Sequence, residues 1–443
     1  MIWQPFSDTL SDSCAHMVKV GIENSTGVRV DIGDSPEEAA FRTEAVAWLS
    51  DHANLRSAGE RRAQPVTAKG QAEHAESCRE WQRTLYNGGW AGIAWPKQFG
   101  GRGAKGVLTA IFEEEQAKFD VPTGVFAVAF GMVGPTLMKH GTDDQRKHLD
   151  DILKGDEVWC QLFSEPDAGS DLASLATIAE RDGDDWVVTG QKVWTSMAQH
   201  SDYGILLART NPDVPKHAGI TYFLVDMKSP GIVVKPLVQM TGIAHFNETF
   251  LDEVRVPNAN VVGEAGEGWK VAQTTLSNER AFIGGSSGAW TIDDLIDLAR
   301  STGKSSDPIV RQQLAQAYSR VKVLAYMGYR LRTAASKGQD PGPVVSTLKL
   351  FYSRHIARTT SFAVGLLGAQ GTLWGSDAVA DGLWQQQVCS QYAVRLGGGT
   401  DEVQGNVIGE RALGLPREPS ADRDLTWRQA RAVKYAARTK STR

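Results

Sequence analysis

At 443 residues, with 47 Lys and Arg against 52 Asp and Glu for a net charge of −5, the chain exceeds one ordinary core and requires two or three domains. Acids and bases are mixed throughout, which argues against the clustered Lys and Arg of a dedicated nucleic-acid surface. Cys14, Cys78, Cys160 and Cys389 are too scattered to support a disulfide framework or a zinc site, and no apolar run approaches the roughly 18 residues of a membrane span.

Residues 1–33 have weak periodicity and many small polar side chains, so they read as an N-terminal extension. Order is expected to begin at Asp34-Ser35-Pro36-Glu37-Glu38, where a Ser cap, Pro at the first helical position and acids in the first turn announce a helix. Helical patterns follow at Phe41 to Leu49, Glu73 to Tyr86, Leu108 to Phe119 and Gln145 to Leu153, giving a helical domain over 34–157. From Val158 the period changes to two. Short β-rich runs at Trp186 to Thr189, Tyr203 to Ala208, Ile220 to Val225, Ile232 to Leu237 and Phe250 to Val256 predict a β domain, barrel-like, over 158–268. No helix of crossover length separates these strands, which excludes a doubly wound nucleotide fold. The helical period then returns. Leu314, Ala317, Val321, Leu324, Gly328 and Leu331 form the seam of an antiparallel packing, and further helical segments at Val344 to Leu367, Leu383 to Val394 and after Thr400 complete a four-helix bundle over 269–416. The charged tail, 417–443, reads equally as a packing arm or as disordered chain. The fold class is thus α+β and multidomain: helical, β, helical. The N-terminus lacks a secretory pattern, and a cytoplasmic location is expected.

Four stretches carry candidate chemistry. Phe163-Ser164-Glu165-Pro166-Asp167-Ala168-Gly169-Ser170-Asp171-Leu172, placed at the joint between the first helical domain and the β domain, offers hydroxyls and backbone N–H groups that could hold an anion or a planar polar ring. Alone it is an ordinary capped turn. Gln191-Lys192-Val193-Trp194-Thr195-Ser196 puts a Trp and hydroxyls at a strand end, where a lone Trp is usually core. Thr274 to Gly285 places Glu279 beside Arg280 before a run of small residues; an isolated Glu there is usually a solvated ion pair. Gly397-Gly398-Gly399-Thr400 is a flexible turn feeding a helix with Asp401 and Glu402 in its first turn, and Glu402 is explained there by the helix dipole. His245 and His355 read as structural.

In this order and register these segments resemble the acyl-CoA dehydrogenase family over about residues 35–418. The resemblance rests on WPKQFGG (95–101), SEPDAGSDL (164–172), GQKVWTS (190–196), FLDEVRVP (250–257), VGEAGEGW (262–269) and GGTDEVQGNVIGERALG (398–414). It implies FAD between the β domain and the C-terminal bundle, an acyl-CoA substrate in β-oxidation-type metabolism, an acceptor of the electron-transfer flavoprotein type, and a tetramer. It also implies flavin contacts from Phe163, Ser164, Trp194, Ser196 and Thr400, with Ser170 on the phosphate or pantetheine path and Arg280 and Gly399 beside the substrate.

Much of the family carries its base in a Glu-Gly-Thr motif, which here reads Gly398-Gly399-Thr400 without the carboxylate. Isovaleryl-CoA and long-chain members instead carry it just before an Arg on the helix that opens the C-terminal bundle, where this chain has Glu279-Arg280. The resemblance therefore implies that Glu279 removes the α-proton while the β-hydrogen leaves as hydride to flavin N5. The Gly398 N–H would stabilise the thioester oxygen. The family's Arg-x-x-Phe-Gly and Gln-x-x-Gly-Gly-x-Gly segments are altered at Arg300 to Lys304 and at Gly365 to Gly371, which points to a heteromeric assembly whose partner completes the adenosine site. Two alternatives stand beside this reading: a non-catalytic partner subunit, and a flavin monooxygenase or oxidase on the same scaffold.

Overall fold

The computed structural model describes residues 34–56, 67–104, 106–283, 290–336, 342, 344–420, 422 and 424–441, with the side chains of 280–283, 332–333, 335–336 and 435–441 left out. The expected extension 1–33 and the small-residue run 284–288 lie outside the described residues.

The first domain is helical, as its periodicity requires. Helix α1 (Pro36–His52) starts in a capping box, with the Ser35 hydroxyl accepting from the Glu38 N–H at 3.3 Å and the Glu38 carboxylate accepting from the Ser35 N–H at 2.7 Å. It is followed by α2 (Ala68–Asn87), α3 (Gly106–Gln116), α4 (Gly134–His140) and α5 (His148–Lys154), with a π turn at Ala129–Val133 leading into α4.

The middle domain is one seven-stranded curled sheet built from β1 (Trp159–Leu162), β2 (Ile178–Asp182), β3 (Asp185–Ser196), β4 (Tyr203–Arg209), β5 (Ile220–Asp226), β6 (Ile232–Leu237) and β7 (Phe246–Pro257). The order runs β1-β4-β2-β3-β7-β6, with β5 paired to β4. β1 and β2 are too short to show a period, so sequence reading missed them. As a result the Phe163 to Leu172 segment lies between β1 and β2, inside the β domain, and not at the joint between domains.

Central strands are buried on both faces. Ile205, Leu207, Ile220, Tyr222 and Leu224 face a core shared with the N-terminal helices, while Leu206, Ala208, Phe223 and Val225 face a second core. The expected period of two therefore fails in β4 and β5, which are near-continuous buried runs, since alternation needs one wet face.

The C-terminal region comprises α6 (Gly268–Ile283), α7 (Ile292–Ser301), α8 (Pro308–Ser336), α9 (Val344–Leu367), α10 (Leu383–Leu396) and α11 (Asp401–Val407). The seam residue Ala317 is buried against a core that includes Ile356, Leu366 and Trp384. The tail carries a further helix, α12 (Trp427–Ser441).

Helix α6 is seated directly on β5. A Cβ at Gly268 would stand 2.5 Å from the Thr221 carbonyl carbon and 2.6 Å from the Tyr222 nitrogen, so only glycine permits this approach. The neighbour is backbone and cannot rotate away. Gly268→Ala is therefore expected to destabilise the protein by about 1–3 kcal/mol through overpacking. Urea unfolding checks this, and an unchanged midpoint would show that α6 can lift without cost.

Candidate active site

Glu279 sits in the last turn but one of α6, half-buried, and its carboxylate accepts a hydrogen bond from Gln161 Nε2 on β1 at 3.3 Å. Two residues beyond Gln161, Phe163 is buried with its ring edge-on to Tyr222 at 5.8 Å. The structure thus brings Glu279 to the strand that feeds the Ser164 segment. Arg280 lies on the same helix, but its side chain falls outside the described residues.

The Ser164 segment is fixed by a buried ion pair that sequence reading missed. Lys192, fully buried on β3, donates from Nζ to the Glu165 carboxylate at 2.8 Å and to the Phe163 carbonyl at 3.1 Å. Glu165 also accepts from the backbone N–H groups of Ala176 and Thr177, at 2.6 and 2.8 Å. Burial pushes the Glu165 carboxyl up, but Lys192 and these donors outweigh it and hold the group below the usual carboxylate range. The available signal was an acid and a base, each inside a motif already singled out.

Past Lys192 the β3–β7 register slips by one residue, pairing Lys192 with Thr249 but Thr195 with Asn247. At this bulge Trp194 takes φ 63°, and its ring is 60% exposed, packed edge-on against Phe246 at 6.0 Å. The expectation for a lone strand Trp, burial in the core, fails because the bulge turns it outward. The hydroxyls of Ser164 and Ser196, both half-buried, form no hydrogen bond among the described residues, and Ser170 is exposed. Unpaired hydroxyls beside an exposed indole suit a planar ring with polar edges, so these residues fit a flavin.

The glycine turn is held from behind. Lys349, buried on α9, donates to the Gly399 carbonyl at 2.6 Å, and Gln404 Nε2 donates to the Gly398 carbonyl at 2.8 Å. Gly398 and Gly399 have φ 62° and 90°. The Gly398 N–H donates to no group among the described residues. Thr400 caps α11, its hydroxyl accepting from the Val403 N–H at 3.2 Å. Asp401 is buried with Ser353 at 2.5 Å and Arg395 at 3.1 Å, which makes it structural, while Glu402 is exposed. The helix that carries Glu279 and the helix that follows the glycine turn are joined through α9, which packs on both α6 and α11.

A helical, sheet, helical subunit with a half-buried carboxylate against its edge strand and unpaired hydroxyls around an exposed indole has the architecture of a flavin-dependent oxidoreductase. Comparison with known proteins agrees. The N-terminal, middle and C-terminal domains of acyl-CoA dehydrogenase match residues 38–156, 160–254 and 266–413. The chain is 38% identical over 384 residues to acyl-CoA dehydrogenase IpdE1 of Mycobacterium tuberculosis, spanning 85% of this chain and 98% of that protein. Among solved structures it is similar to the Tcur3481-Tcur3483 steroid ACAD, with TM-score 0.74 and 31% identity over 88% of this chain and all of that one. It is also similar to the ChsE4-ChsE5 complex from Mycobacterium tuberculosis, with TM-score 0.70 and 31% identity over 87% of this chain and 100% of that one. The chain belongs to the acyl-CoA dehydrogenase family, whose members are FAD-dependent oxidoreductases. Among the described residues no helix is long and apolar enough to cross a membrane, and no group of His, Cys, Asp or Glu could hold a metal ion.

Lys192→Met removes the ammonium that donates to Glu165 and leaves the buried Arg209, which acts on it through charge without a hydrogen bond. An expected loss of about 3–5 kcal/mol follows at neutral pH. In the wild type the Glu165 contribution is present above the unfolded value of about 4.3 and fades as pH falls through the lower folded value. The variant's deficit should therefore shrink on acidification, and adding Glu165→Gln should recover part of it. Denaturant melts at several pH values check this; a pH-independent deficit would mean that the pair is not ionised.

Proposed function

We propose that this chain dehydrogenates an acyl-CoA thioester to its trans-2-enoyl-CoA, with Glu279 taking the α-proton. The observation that carries the reading is the seat of Glu279: a half-buried carboxylate hydrogen-bonded to the β1 strand that leads into Phe163 and Ser164. FAD, when bound, supplies the hydride acceptor, and Phe163, Ser164, Trp194, Ser196 and Thr400 would be the residues that hold it.

The chain's own groups divide the remaining work. Gln161 orients the Glu279 carboxylate. The Gly398 N–H offers a donor to the thioester oxygen, where negative charge develops as the α-proton leaves. Lys349 and Gln404 hold the Gly399 and Gly398 carbonyls, which fixes the turn that follows that N–H. Arg280 and Gly399 complete the substrate side.

For the substrate class we propose CoA esters of bulky, polycyclic acids, supported by similarity to a protein described as a steroid ACAD. For the assembly we propose a heteromer with a related subunit, and an electron-transfer flavoprotein as acceptor. Two observations support the heteromer. Arg300 pairs with Asp297 at 2.9 Å, and Lys304 donates to the Leu366 carbonyl at 2.7 Å, so the altered segment spends its cations within its own subunit. Similarity to the ChsE4-ChsE5 complex points the same way.

Anaerobic mixing with a panel of acyl-CoA esters, branched and polycyclic ones included, tests the chemistry through bleaching of the flavin. Glu279→Gln should retain FAD and slow bleaching by about 10²–10⁴-fold, the usual contribution of a positioned base. Bleaching at the normal rate would remove Glu279 from the mechanism. Native mass spectrometry of the chain purified alone tests the assembly, and a homotetramer carrying four FAD would refute the heteromer.

A further inference from the structure

The tail beyond residue 416 lies past the matched C-terminal domain, which ends at 413. In the structure it is docked on the middle domain of its own chain. The Trp427 N–H donates to the Val214 carbonyl at 2.9 Å, the Arg428 N–H donates to the Pro212 carbonyl at 3.0 Å, and Thr426 forms a β-bridge with Pro215. The Trp427 indole N–H reaches the Ser174 carbonyl at 3.3 Å. Its ring is flanked by the guanidinium groups of Arg209 and Arg431, at 4.8 and 4.9 Å.

Charge extends the attachment. Lys216 bridges Asp422 of the tail, at 2.7 Å, to Asp171 of the loop between β1 and β2, at 2.9 Å. Arg428 grips Asp213 at 2.7 Å. Lys434 points to the Asp167 carbonyl at 3.5 Å.

The tail therefore fastens two loops, 166–174 and 211–217. The first is anchored by its turn bonds between Glu165 and Ala168 and between Asp171 and Ser174, and by buried Ala168, Leu172 and Ala173. Pro166, Asp167, Gly169, Ser170 and Asp171 are exposed between these anchors. The second reaches α6, since the His217 ring packs edge-on against Trp269 at 4.9 Å. From these contacts we infer that the C-terminal arm is a positioning element for substrate binding. It orders the Ser170 loop before the thioester arrives, so that binding does not have to order it. Trp427 acts through the loops and not by touching the reacting atoms. The inference rests on Ser170 lining the substrate path, as the proposed function has it.

Hydrogen exchange on full-length Trp427→Ala, with Asp422→Asn as a milder second variant, tests the ordering without depending on the reaction. Exchange in peptides covering 166–174 and 211–217 should rise by about tenfold in Trp427→Ala while α8 to α10 stay unchanged. KM for a reactive acyl-CoA should rise about fivefold with kcat held within about twofold. Trp427→Phe keeps the ring between the two guanidinium groups and should fall between wild type and Ala. Unchanged exchange in both loops overturns the inference, as does faster exchange with an unchanged KM. A wild-type protein that reduces no flavin with any acyl-CoA condemns the proposed function instead, and the exchange result still decides whether the arm orders the loops.

Discussion

The candidate site depends on one buried cation. Removing an ammonium from water costs several kcal/mol even after relaxation, and the interior returns this only through good geometry. Lys192 obtains it from the Glu165 carboxylate and the Phe163 carbonyl, and Glu165 obtains it from Lys192 and two backbone N–H groups. An apolar pair of similar volume would fill the space as well. It would not fix the Phe163 carbonyl, nor tie 163–165 and 176–177 to the same point on β3. What the pair supplies is register between the Ser164 segment and the bulge that carries Trp194. Phe163, Ser164, Trp194 and Ser196 inherit their positions from that register, whereas Thr400 is held separately as the cap of α11.

The carboxylate arrives by a separate route. On α6 the residues facing the sheet recur at helical spacing: Gly268 against the β5 backbone, Ala272 fully buried, Thr275 fully buried, then Glu279. The Thr275 hydroxyl meets Thr136 of the first domain at 2.8 Å and Tyr222 of the sheet at 3.1 Å, joining all three domains at one buried point. Glu279 lies one turn further along the same face. His140 adds a contact to the Thr274 hydroxyl at 2.9 Å. Once α6 is seated, the direction of Glu279 toward Gln161 follows from helix geometry alone.

Much of this was legible in the chain. Ser35-Pro36 marked the first helix because a capping box is local chemistry, and Val344 to Leu367 was read to the residue because nothing interrupts its pattern. Tyr203 to Ala208 and Ile220 to Val225 were found through their β-rich composition, although their burial on both faces erases the alternation expected of them. Four-residue β1 and five-residue β2 escaped because so short a segment shows no period. The partnership of Lys192 with Glu165 escaped because it joins residues far apart in sequence, and neither residue type advertises burial. Gln161 carried no signal at all: its importance comes only from what faces it. The tail could not be read because its order is tertiary, depending on Arg209, Lys216 and Asp213 in loops and strands far upstream.

The glycine turn shows why the proposed base belongs on α6. Gly398 and Gly399 both lie in left-handed backbone space, which side chains other than glycine enter at a cost, and a Cβ at 399 would stand 2.6 Å from the Gln404 amide nitrogen. That amide is already committed to the Gly398 carbonyl, and Lys349 to the Gly399 carbonyl. Restoring a carboxylate at 398 would have to strain a loop whose carbonyls are pinned by buried side chains. Glycine meets the left-handed backbone at both positions without that strain. A carboxylate on α6 needs no such strain, since a helical Glu has ordinary dihedrals and its helix is already held at Gly268 and Thr275. In the proposed reading the glycines and Glu279 are two halves of one arrangement, in which backbone would serve the thioester oxygen and a side chain from another element the proton.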